Sequence, residues 1–129
     1  MITESKKFLF DEEIHQLKQT VLGDNFPWYF QPSSTSNKFH FFSHGLIQRY
    51  DHTKGEPVFN SDITPHILNM FKRFVDEHEI KVDKVTRACI NLTHFHGKYK
   101  NGDPHVDHDF SHKVFMLYLN DTSGDTLIF

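Results

Sequence analysis

From Arg87 to its end, the chain consists of short apolar segments separated by turn residues, and this pattern constrains the fold more than any other feature. "RACINL" (87–92) alternates apolar and polar side chains with the period of a strand that has one face in the core. "HVDHD" (105–109), "HKVFMLYLN" (112–120) and "TLIF" (126–129) are further extended segments, separated by the turn residues of "KYKNGDP" and "NDTSGD". This half of the sequence therefore predicts a group of antiparallel strands.

The N-terminal half carries two helical patterns. The first begins with Asp11 as its cap and ends at Gly23, for which we expect a left-handed conformation. The second begins with Thr64 as its cap and runs to about Glu77, with Pro65 in its first position. Helices followed by antiparallel strands predict an α+β or mostly β fold. We expect additional extended segments at 7–10, 26–30 and 38–51.

Length and composition are those of one globular domain covering residues 1–129, with 37% hydrophobic and 24% charged residues. Cys89 is the single cysteine, which excludes an internal disulfide and fits a reducing cytoplasm. The N-terminus lacks the long apolar run of a signal peptide, and no segment approaches the roughly 20 apolar residues of a membrane helix. We therefore expect a cytoplasmic protein without membrane contact. The net charge of -3 does not indicate a nucleic-acid partner.

The histidines of "THFHG" (93–97) are similar to the opening of the metallo-β-lactamase metal motif. That motif continues with Asp and His, where this chain has Lys98 and Tyr99. A hydrolase that binds zinc through His94, His96 and His105 is therefore one interpretation. The simpler interpretation is that these are polar histidines at the end of a strand, without a metal.

His105 and Asp107 form a more specific pair. Residues two apart in a strand project from the same face, so "HVD" would place an imidazole nitrogen beside a carboxylate oxygen. Val106 would then turn the other way, into the core. A third ligand from a distant strand would complete the facial triad of a non-haem iron(II) site, with the opposite face open to a co-substrate and dioxygen.

Three motifs together resemble the Fe(II)- and 2-oxoglutarate-dependent dioxygenases, especially the prolyl-4-hydroxylase-like members found in phages and marine microbes. They are "RACINL", then "PHVDHD" after a turn, then "KVFMLYLNDTSGDTLIF", with its "YLN" strand, a hairpin at Gly124 and a "DT-apolar-F" strand. "FPWYF" and "FFSHGLIQRYD" also resemble the N-terminal part of such proteins. The resemblance covers nearly the whole chain and is strongest from Arg87 to Phe129.

The resemblance implies a double-stranded β-helix, which is a jelly-roll of the cupin type, with supporting N-terminal helices. It implies that His105 and Asp107 bind Fe(II), that 2-oxoglutarate chelates the same ion, and that decarboxylation to succinate accompanies hydroxylation of a C–H bond. Ascorbate is the candidate reductant. Asn91 and Tyr118 lie on strands that line the co-substrate pocket in the family, which makes them candidate 2-oxoglutarate contacts. Polar residues satisfied within a sheet are the alternative.

The chain departs from the family pattern at two functional positions. The family's distal iron-binding histidine and the basic partner of the far 2-oxoglutarate carboxylate lie downstream of the "DT-apolar-F" strand. Here no histidine follows His112 and no basic residue follows Lys113. We expect the chain to represent roughly the N-terminal two-thirds of the fold, with an incomplete barrel. Truncation, a split gene, degeneration or a substitute ligand would each account for this; His112 is the candidate substitute, because His108 would point away from Asp107 in a regular strand.

The leading expectation is therefore an oxygenase, a hydroxylase of prolyl-4-hydroxylase type, acting on a protein or small-molecule substrate that no residue here identifies. The rival is a non-catalytic member of the same family that serves as a binding or assembly module. The unpaired apolar edge expected at "TLIF" favours association with a complementing C-terminal polypeptide or with another copy of the chain.

Overall fold

A computed structural model describes residues 1–32, 39–50, 56–94, 97, 103–122, 124 and 126–128. These residues form an α+β structure with two helices and a three-stranded antiparallel sheet. The elements in chain order are α1 (Asp11–Val21), β1 (Tyr29–Gln31), β2 (Phe41–Ile47), α2 (Thr64–Glu77) and β3 (Ala88–Leu92). In this part of the chain, neither helix is long and apolar enough to cross a lipid bilayer.

Both predicted helices are confirmed, but their first residues differ from the prediction. Phe10 is the cap residue of α1, and the Glu13 carboxylate accepts a hydrogen bond of 2.9 Å from its backbone N–H, so Asp11 is already helical. Ile63 is the cap residue of α2. Thr64 is the first helical residue, and its buried hydroxyl donates to the Leu46 carbonyl oxygen instead of capping its own helix.

The sheet has the order β1-β2-β3, so the short aromatic strand β1 lies at an edge of the described sheet, within the part of the chain that was expected to be extended. Ser43 of β2 is paired with Tyr29 on one side and Asn91 on the other. A register shift between Gly45 and Ile47 pairs Ile47 with Ala88. Side chains alternate between faces along a strand, so Tyr29, Ser43 and Asn91 share one face of the sheet.

The opposite face of the sheet turns toward the core. Leu17 and Val21 of α1 form a buried cluster with Met70 of α2, against which Ile90 of β3 packs. His44 of β2 is also buried on this side. Its Nδ1 lies 2.9 Å from the Pro27 carbonyl oxygen and its Nε2 lies 2.6 Å from the Ser61 hydroxyl. Because a carbonyl can only accept, Nδ1 carries the proton, and both ring nitrogens are satisfied.

The strands predicted for 105–109 and 112–120 are wrong for the described residues, and neither 7–10 nor 126–128 forms a strand. Side chains nevertheless alternate between two sides in 114–119. Phe115, Leu117 and Leu119 are half-buried, and the two leucines pack on the core cluster. Val114 and Met116, on the other side, are 60% and 53% exposed. Alternating side chains alone do not make a strand, because a strand also needs a hydrogen-bonding partner, and the described residues supply none.

Candidate functional site

His105 is exposed and makes one described hydrogen bond. Its Nδ1 lies 3.0 Å from the carbonyl oxygen of Asp103. The carbonyl oxygen has no proton to donate, so Nδ1–H is the donor and the lone pair of the neutral ring lies on Nε2. Metal-binding histidines commonly donate their second nitrogen to a carbonyl in this way. His105 is therefore in a tautomer that suits a metal ligand.

Asp107 lies between two arginines at one end of the sheet. Nη1 of Arg49, two residues past the end of β2, donates a hydrogen bond of 2.7 Å to the backbone carbonyl oxygen of Asp107. Nη1 of Arg87, immediately before β3, lies 3.9 Å from Asp107 Oδ1. The first contact fixes the main chain at residue 107. The second is longer than a hydrogen bond and leaves the carboxylate oxygens able to bind another cation.

His105 and Asp107 are not presented by a regular strand, in contrast to the prediction. The chain bends at Asp107, and Val106 is 76% exposed instead of facing the core. Arg49 and Arg87 contact this segment at the end of the sheet, and no ladder of backbone hydrogen bonds joins it to another described segment. The assignment of His105 and Asp107 as iron ligands stays a prediction.

The histidines that follow belong to a local aromatic cluster. The His108 ring stacks on Phe110 at 4.6 Å between centroids and lies 5.1 Å from the ring of His112. His108 Nε2 is 3.4 Å from the Thr86 hydroxyl, and His112 Nδ1 is 2.7 Å from the Phe110 carbonyl oxygen. Across the residues that the structure describes, no three His, Cys, Asp or Glu side chains come together as a metal site. His105 and Asp107 as two ligands of an iron triad, and His112 as the third, therefore stay predictions.

Asn91 and Tyr118, the candidate 2-oxoglutarate contacts, lie in different surroundings. Asn91 Oδ1 accepts a hydrogen bond of 3.0 Å from the Ser43 hydroxyl on the face of the sheet away from the core. Tyr118 is 64% exposed, and its hydroxyl is hydrogen-bonded to Thr126. The role of both residues stays a prediction, and the Asn91 contact is also what a polar residue satisfied within a sheet would make.

An open cavity of about 260 Å³ lies on the same face of the sheet, and the sequence did not indicate it. Ser43, Gly45 and Cys89 line its strand side, and Arg49 and Arg87 line the end where Asp107 is held. The cavity forms because non-consecutive parts of the chain meet: the Arg49 contact alone joins residues 58 apart in sequence. The only sequence signal was the position of Arg87 at the start of the strand predicted for 87–92.

Comparison of the chain with protein-family models, with curated proteins and with solved structures finds no match to any of them. Membership of the dioxygenase family, which the motifs suggested, therefore stays a proposal.

Proposed function

We propose that this chain belongs to the non-haem Fe(II)- and 2-oxoglutarate-dependent oxygenases of prolyl-4-hydroxylase type and that its sheet is part of a double-stranded β-helix. The observation that carries the proposal is the position of the His-x-Asp motif. Asp107 contacts Arg49 and Arg87, two residues that line the cavity, and His105 two residues away has Nε2 available as a ligand. An imidazole nitrogen and a carboxylate oxygen are the ligand types of a facial iron(II) site.

In this proposal each residue of the site has a separate task. His105 and Asp107 hold the metal, and Arg49 keeps the main chain at Asp107 in place through its carbonyl oxygen. When bound, Fe(II) with 2-oxoglutarate and dioxygen supplies the chemistry that hydroxylates a C–H bond of a protein or small-molecule substrate. Asn91 is hydrogen-bonded to Ser43, which lines the cavity, and would offer its amide group to the co-substrate.

Calorimetric titration with Mn²⁺ tests the two ligands without relying on turnover. His105→Ala and Asp107→Ala should each weaken binding by about 100-fold or more, since loss of an outer partner alone costs about 10–100-fold. His15→Ala and Asp83→Ala, which change exposed residues far along the chain from the motif, are the matched controls and should bind like the parent. Parent-like affinity of either ligand variant would refute the assignment. Succinate formation from 2-oxoglutarate with Fe(II) and ascorbate is the companion assay for activity.

A second candidate function is that of a non-catalytic binding or assembly module, and the outer side of the 114–118 segment favours it. Val114, Met116 and Tyr118 are 60%, 53% and 64% exposed on one side of a segment that has no strand partner in the described residues. Leu127 and Ile128 are also exposed, at 53% and 70%. Apolar surface of this kind suits a complementing polypeptide or a second copy. Sedimentation equilibrium of the parent and of Met116→Glu measures whether self-association occurs and whether this side mediates it.

A further inference from the structure

His40 and His94 approach each other at one end of the sheet. Their Nε2 atoms are 3.2 Å apart and their ring centroids are 4.9 Å apart. His40 directly precedes β2, and His94 follows β3 by two residues. Because Phe42 is paired with Leu92, the antiparallel register brings the two histidines together across 54 residues of sequence.

The separation of the two nitrogens matches the spacing of two ligands on one metal ion. A zinc–imidazole bond is about 2.0–2.1 Å long, and a tetrahedral angle then puts two ligand nitrogens about 3.3–3.4 Å apart. His40 and His94 are already within a few tenths of an ångström of that spacing. An ion bound by both nitrogens would take the place of the proton between them.

The surroundings of the pair support metal binding. Both histidines are exposed, so an ion can reach them from solvent. The His40 ring lies 5.5 Å from the ring of Phe30, and the His94 ring lies 6.2 Å from that of Phe42. Phe30 and Phe42 contact each other at 5.9 Å. The two imidazoles are therefore oriented by an aromatic pair on adjacent strands, which reduces the entropy lost on binding.

We propose that His40 and His94 form a binding site for a borderline divalent transition ion, with Zn²⁺ as the reference ligand and water completing the coordination. Imidazole pairs favour copper, nickel and zinc over iron, manganese and magnesium. A bound ion cross-links the start of β2 to the end of β3. The site is distinct from the proposed iron site, because Arg49 and Arg87 hold Asp107 at the opposite ends of the same two strands. Five residues of strand separate the two ends by about 15 Å.

Calorimetric titration with zinc chloride, on the full chain carrying His105→Ala and Asp107→Ala, isolates this site from the proposed iron ligands. We expect one zinc equivalent to bind in that background. Adding His40→Ala or His94→Ala should lower the affinity for that equivalent at least tenfold, whereas adding His15→Ala should leave it unchanged. Circular dichroism of each variant verifies folding.

A second measurement reports on the cross-link itself. Zinc should raise the unfolding temperature of the background protein, because it binds the native pair and not the unfolded chain, and this rise should disappear with His40→Ala. Absence of a zinc equivalent in the background, or unchanged affinity after both histidine substitutions, would overturn the proposal. Neither result affects Mn²⁺ binding by His105 and Asp107, so failure of one site is distinguishable from failure of the other.

Discussion

Arg73 of α2 donates two hydrogen bonds of 2.7 Å, one from each terminal guanidinium nitrogen, to the two carboxylate oxygens of Glu13 of α1. The same carboxylate accepts the N–H of Phe10 at the start of α1, and the guanidinium lies 4.9 Å above the Phe10 ring. One ion pair therefore caps a helix and joins it to the second helix. A bidentate pair between planar groups has a fixed geometry that single surface ion pairs lack.

Glu13→Gln should destabilise the protein by about 1 kcal/mol at neutral pH, which is near the upper end for exposed ion pairs. The cost is not larger because both side chains retain contact with water. Urea unfolding of parent and variant measures the difference. Asp76→Asn, which removes the more exposed i,i+4 pair with Lys72, is the control and should cost less than about 0.5 kcal/mol. Equal costs for the two variants would contradict the special role of Glu13.

The contribution of Glu13 to the free energy of unfolding should also depend on pH. The hydrogen bonds from Arg73 hold the pKa of Glu13 below its ordinary value of 4.5 in the folded protein. The carboxylate therefore stabilises the fold fully above pH 4.5, and this stabilisation is lost as the pH falls through the lower folded pKa. The difference in free energy of unfolding between parent and Glu13→Gln should accordingly shrink as the pH falls below 4.5. A difference that stays constant down to pH 2 to 3 would contradict the assignment.

Thr64→Val should cost about 1 kcal/mol, although the two side chains have nearly the same shape. Thr64 is fully buried, and its hydroxyl donates a hydrogen bond of 3.1 Å to the Leu46 carbonyl oxygen, which also accepts from the Asn60 N–H. The loss of one of two donors explains the moderate cost. Thr20→Val, at an exposed position of α1, is the control for helix propensity and should change the free energy of unfolding much less.

Phe115→Ala should cost about 2–3 kcal/mol, whereas Val114→Ala should cost less than about 0.5 kcal/mol. The Phe115 ring lies 5.0 Å from Phe74 and 5.2 Å from Phe71 on α2, and Val114 points to solvent. Denaturant unfolding of both variants tests whether the 114–119 segment packs on the helices as described. Similar costs at the two positions would mean that the segment does not keep one side on the core.

Gly23→Ala should be clearly destabilising, by more than about 1 kcal/mol. A Cβ atom at Gly23 would lie 2.7 Å from the backbone oxygen of Gln19, so part of the helix end would have to move. Gly45→Ala is the matched control, because its Cβ would meet only the Asn60 side chain at 3.7 Å. Thermal unfolding of both variants gives the comparison, and a neutral Gly23→Ala would show that the end of α1 adjusts freely.

Local patterns in the sequence predicted the local parts of the fold. The spacing of apolar residues placed α1 and α2, and Gly23 was expected to matter where α1 ends. The expected left-handed conformation of Gly23 was wrong, however, because among the described residues only Glu79 and Gly97 have a positive φ. Gly23 is needed because the Gln19 carbonyl leaves no room for a side chain. Propensity indicates that a glycine is favoured, but only the packed structure distinguishes left-handed backbone from close approach.

Contacts between distant parts of the chain could not be predicted in the same way. The apolar residues of 112–120 predicted an extended segment, yet they contain no information on whether another segment supplies hydrogen bonds. Likewise, the motif selected His105 and Asp107, whereas the arginines beside Asp107 and the proximity of His40 to His94 depend on the pairing of β2 with β3. Such residues have no common signal along the sequence.

Among the described residues, the 114–119 segment is held by its side chains alone, and this has a consequence for its main chain. In the described part of the protein its amides donate to no backbone carbonyl, so they should exchange with deuterated solvent quickly, even beside the half-buried Phe115 and Leu117. A strand from another polypeptide could pair with this segment, whose main chain has already lost conformational freedom through packing. Docking would then slow amide exchange from Val114 to Leu119 with little further ordering cost, which makes exchange at these amides a direct reporter of occupancy.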